Sequence, residues 1–96
     1  MDHRDLLTRR LTLITGLSCL NAEALKLNQR IGGLQMDLQR LAMDATDDTD
    51  RAETAERHRA ESDLAEAEAA LAGCLERIEG LEGEVEAIDR ALTDLR

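Results

Sequence analysis

Leucine recurs at every seventh residue from Leu6 through Leu13, Leu20, Leu27 and Leu34 to Leu41. If these are heptad d positions, the a positions read His3, Arg10, Leu17, Ala24, Ile31, Leu38 and Ala45. From Leu17 onward every a is apolar, so a and d together form one narrow stripe down a helix, the pattern of a coiled-coil seam. A second seam runs through Leu64, Leu71, Ile78, Val85 and Leu92 as a, with Ala60, Ala67, Cys74, Leu81, Ile88 and Leu95 as d. The helical glycines Gly32, Gly33, Gly73, Gly80 and Gly83 all fall outside both seams.

The two seams are out of phase. Counting the second one back places an a at Arg57, which is 12 residues beyond Ala45, one heptad plus five. A continuous coiled coil absorbs insertions of three or four residues, whereas five swings the stripe to another side. The stretch between is the polar run Thr46, Asp47, Asp48, Thr49 and Asp50, residue types that favour caps and turns. Asp50 followed by Glu53 resembles a capping box. The expectation is an all-α, single-domain antiparallel helical hairpin: a first helix over about 3–45, a turn over about 46–50 and a second helix over about 51–95. One continuous helix pairing with a second chain is the alternative. In the hairpin a packs on d, and a turn centred on Thr49 pairs Leu6 with Leu92, Leu13 with Val85, Leu17 with Leu81, Ala24 with Cys74, Leu27 with Leu71 and Leu34 with Leu64. The same register draws Arg9 towards Glu84, Glu23 towards Arg77 and Arg30 towards Asp63.

A second apolar stripe lies beside the first seam. Leu7, Leu11, Ile14, Ser18 and Leu25 follow the e and b positions, and Asn21, Asn28, Gln35 and Gly32 extend the line without charge. The second helix adds Ala65, Ala72 and Leu75 next to its own seam. Two helices sharing one seam make a thin core, and exposed apolar stripes mark association. The expected interaction residues are therefore Leu7, Leu11, Ile14, Ser18, Leu25 and Leu75. The expected partner is a second copy, forming a homodimeric four-helix bundle, or a different protein.

Composition agrees with helices: the chain has no Pro and no Phe, Trp or Tyr, and 34% of it is charged. Charge adds a second feature. Residues 1–45 carry six bases and five acids, residues 46–96 six bases and sixteen acids, and the whole chain has net charge −9. An acidic chain without aromatic side chains is a poor ligand for phosphates and bases, so direct nucleic-acid binding is not expected. A basic protein surface is a better match. Glu61, Asp63, Glu66, Glu68, Glu76, Glu79, Glu82, Glu84 and Glu86 form the candidate acidic face. They suggest an alternative function: an acidic inhibitor or nucleic-acid mimic, of the phage antidefence kind, that occupies a basic groove. Eleven Arg against one Lys suit a GC-rich bacterial or phage genome.

Catalytic and metal patterns are not found. His3 and His58 stand far apart, and His58 lies in the charged run "ERHRAE", where a solvated helix histidine is the simplest account. There is no Glu-x-x-His pair of di-iron bundles, no zinc spacing, no glycine-rich phosphate loop and no nucleophile–base arrangement. "DATDDTDRAETAE" lacks the glycine and acid spacing of a calcium loop. No cofactor, no metal and no enzymatic activity are expected. The leucines at sevens resemble leucine-zipper transcription factors, but Asp2 and Asp5 stand where those carry a basic region. The outline also resembles helical-hairpin secretion proteins, whose turn carries Trp-x-Gly, and this chain has no Trp. "RRLTLITGLSCLNA", residues 9–22, loosely resembles a secretory or lipoprotein signal, but Asp2, Asp5 and Gly16 do not fit one. Two cysteines do not make a disulfide framework, and no run is apolar enough for a membrane span. A cytoplasmic location is expected.

Overall fold

The computed structural model describes residues 2–44 and 51–95. They form two α-helices, α1 over His3–Asp44 and α2 over Arg51–Asp94, arranged as an antiparallel helical hairpin. Ala45, the expected turn over 46–50 and the Asp50 cap lie outside the described residues. Contacts divide the chain into two units, one of residues 1–24 with 73–96 and one of residues 25–72.

In the first unit, the start of α1 pairs with the end of α2. Leu6 and Leu13 of α1 and Ile88 of α2 are buried together, with Leu81, Val85, Ala91 and Leu92 packed around them. Leu6, Leu13, Leu81, Val85, Ile88 and Leu92 are expected a and d residues, whereas Ala91 falls at g beside the seam. Ala24 and Cys74 are both buried, and Cys74 is the one described side chain that is fully enclosed. Its Sγ donates to the Leu20 carbonyl oxygen at 3.3 Å. Gly16 faces Leu81 so closely that a Cβ there would stand 3.3 Å from its Cδ1, so the small residue lets the helices approach. Asp2 starts α1: its Oδ1 accepts the Asp5 backbone N–H at 2.9 Å, satisfying one of the donors that a helix start leaves open.

In the second unit, Leu41, Ala60 and Ala67 are buried, and Leu27, Ile31, Leu34, Leu38, Leu64 and Leu71 are half-buried. Arg40 ties the helices across the seam to Glu56 at 3.3 Å and reaches Asp44 on its own helix at 3.9 Å.

One expectation needs correction. Leu95 does not join the seam: it is 54% exposed, because its register partner is the exposed, polar His3 and α2 ends at Asp94. Of the flank pairs, Arg9–Glu84 closes at 3.0 Å, whereas Glu23–Arg77 and Arg30–Asp63 form no ion pair. Arg10, at a seam position, carries its head out to Asp89 at 2.7 Å. These bonds lie between exposed groups and are worth at most about 1 kcal/mol each.

Candidate interaction surface

The surface that sets this chain apart is the outer face of α1 in the first unit. From Leu11 to Ala22 twelve consecutive residues carry no charge. Successive residues of a helix turn by about 100°, so twelve of them cover every side, including the side facing water. Leu7 is 46% exposed, Leu11 68% and Ile14 36%, and Ser18 is exposed beside them. The two threonine hydroxyls of this segment bond back to their own helix. Thr12 Oγ1 donates to the Thr8 carbonyl oxygen at 3.2 Å and Thr15 Oγ1 to that of Leu11 at 3.0 Å. A hydroxyl already bonded to its own helix loses less when covered than a free one. Leu75, at an e position of α2 in the same unit, is 50% exposed.

Leu25 belongs to the second unit, where it is 59% exposed. The same unit exposes two apolar residues that the leucine pattern does not reveal, Met36 at 72% and Met43 at 77%. Their signal was present: they lie seven residues apart at f, the position furthest from the seam.

The nine acidic residues are distributed differently. Glu61, Glu66 and Glu68 in the second unit and Glu76, Glu79, Glu82, Glu84 and Glu86 in the first are exposed, and Asp63 is half-buried. By heptad position they occupy e, g, c, f and b. Since e and g flank the seam on opposite sides, the acids surround the outer surface of α2 and do not line one face. Glu84 is engaged by Arg9. In the second unit Asp37, Glu56 and Asp63 line a groove together with Arg59. Among the described residues no three His, Cys, Asp or Glu side chains gather as a metal-binding group, and no helix is long and apolar enough to cross a membrane.

The two cysteines are unpaired and differ in access, Cys19 being exposed and Cys74 buried. An aromatic disulfide reagent should therefore modify one thiol promptly and the second only as the first unit opens. Two equally fast thiols would contradict the burial of Cys74.

The chain matches no family model, no curated protein and no solved structure.

Proposed function

We propose that this protein is a non-catalytic interaction or scaffold module that docks through the uncharged face of α1 around Leu7, Leu11, Ile14 and Ser18. One observation carries the reading. Leu11 is 68% exposed at the edge of a twelve-residue segment without charge, on a chain of which 34% is charged. An apolar surface of this kind gains by being covered, at about 25 cal/mol per Å² removed from water. A further pair of helices on this face would extend the fold towards a four-helix bundle. A reducing, cytoplasmic setting suits the unpaired, exposed Cys19.

The sixteen acids of residues 46–96 favour a second reading, an acidic inhibitor that occupies the basic groove of a nucleic-acid-binding enzyme. The distribution of the carboxylates around α2 supports it less well, because a mimic of a phosphate backbone presents its charges in register along one side.

A tagged pull-down from a nuclease-treated bacterial lysate, read by mass spectrometry at low and moderate salt, separates the two. A docking module holds its partner at both salt concentrations and loses it with Leu11→Glu. An inhibitor captures a basic enzyme at low salt only and is indifferent to that substitution.

A further inference from the structure

We propose that the occupant of this face is a second copy of the chain, with the two α1 helices packed antiparallel so that Leu11 of each lies opposite Ile14 of the other. The proposal rests on the docking reading above and names its partner.

Charge is the first argument. The chain carries net charge −9, and α2 exposes carboxylates on every side but its seam. Two copies meeting through α2 would bring like charges together. The segment from Leu11 to Ala22 is where a copy can approach without that cost, and its neutrality offers nothing specific to a basic or an acidic partner. Pairing α1 with α1 leaves each α2 on the outside, its carboxylates in water.

Surface area is the second. A standard interface takes about 800 Å² from each partner. The first unit alone shows Leu7, Leu11, Ile14 and Leu75 to water beside a core centred on Leu6, Leu13 and Ile88.

Self-complementarity is the third. A two-fold interface requires that if one residue meets another, the reverse contact forms too. When residue numbers on the two α1 helices sum to 25, Leu11 meets Ile14 twice and Leu7 meets Ser18 twice, so the largest apolar groups come together at the centre. A parallel pairing would instead set Arg4, at b on the same stripe, near its own copy. The e and b stripe lies about 100° around α1 from its a and d seam, so the helix can hold α2 and the second α1 at once.

Sedimentation velocity across a concentration series up to roughly 100 µM tests the proposal directly. The full chain should sediment at twice its 10.6 kDa mass. Leu11→Glu should weaken association by roughly a hundredfold or more, because each dimer would bury two carboxylates against isoleucine. Ile14→Arg alone should do likewise. An equimolar mixture of the two variants should restore a dimer, since one end of the interface then pairs carboxylate with guanidinium and the other keeps Leu11 on Ile14. Slow modification of Cys74 in each variant shows that the first unit remains folded. A monomer at every concentration overturns the second copy, and the docking reading then stands or falls on whether the lysate yields a Leu11-dependent partner. A dimer indifferent to Leu11→Glu places the interface elsewhere and overturns both. A mixture that stays monomeric, after each variant alone has dissociated, overturns the antiparallel register.

Discussion

Leu13→Ala should destabilise the protein by about 2–4 kcal/mol, read as the shift in urea-induced loss of helix. Leu13 is 5% exposed and lies with Leu6 and Ile88 at the centre of the first unit's core. Truncating it removes three carbons from a packed site and leaves a cavity that the stiff helices close only in part. The seam is open along its flanks, so the lower half of that range is the better guide. Leu11→Ala, two residues away and 68% exposed, makes the contrast. In protein dilute enough to be monomeric it should change stability by less than about 0.5 kcal/mol. The same pair can be followed through Cys74, which is fully buried in the same unit. If reagent reaches it by unfolding of that unit, Leu13→Ala should speed its modification by roughly one and a half to three powers of ten. A Leu13→Ala loss no greater than that of Leu11→Ala would mean that the a and d positions have been read on the wrong side of α1.

That contrast rests on a pattern visible in the residues themselves. Burial in a two-helix seam depends on side-chain type at fixed spacing, so the leucines at sevens yield α1, the mixed Leu, Ile, Val and Ala seam yields α2, and the five-residue phase shift between seams gives the reversal. Gly16 is a different case: the spacing sets Leu17 opposite Leu81, and the close approach of Leu81 to Gly16 emerges only from the structure. The ion pairs are less legible. Arg9 reaches Glu84 but Arg30 does not reach Asp63, although both pairs sit at equivalent flank positions. Such contacts are worth about a kilocalorie or less and follow the rotamers of long side chains, which spacing does not determine. Arg10 shows the same limit, since a seam position held by arginine sends its charged head outward to Asp89. Asp2 first counts as a charge that does not suit a signal segment, and its capping of α1 emerges from the hydrogen bond to Asp5. The apolar stripe on α1 is legible as composition, whereas the acids of α2 invite a single face because charges along a sequence are counted before their angular positions are drawn. What covers the stripe is a property of two surfaces. One chain supplies only half of it, unless the other half is the same chain, which is what the pairing of Leu11 with Ile14 asserts.

The combined substitution Gly32→Ala, Gly33→Ala, Gly80→Ala and Gly83→Ala should stabilise the isolated chain by about 2–4 kcal/mol. All four lie inside helices, in α1 and α2, with ordinary helical φ, and a Cβ built at any of them meets nothing within 4 Å. Alanine there loses less backbone entropy on folding than glycine, and no contact offsets the gain. The pairs fall in different units, Gly32 and Gly33 in one, Gly80 and Gly83 in the other, so each should raise the resistance of its own unit to hydrogen exchange. Cys74 modification should slow with the Gly80 and Gly83 pair and hardly respond to the other. Gly16→Ala is the control with the opposite environment. The same helix-propensity gain of about 1 kcal/mol meets a Leu81 Cδ1 only 3.3 Å away, so its net effect should be smaller than at any of the four. Should the four-alanine protein prove no more stable than the parent while Gly16→Ala does, the spacing between the helices of the first unit would have to be wider than the packing of Leu81 on Gly16 implies.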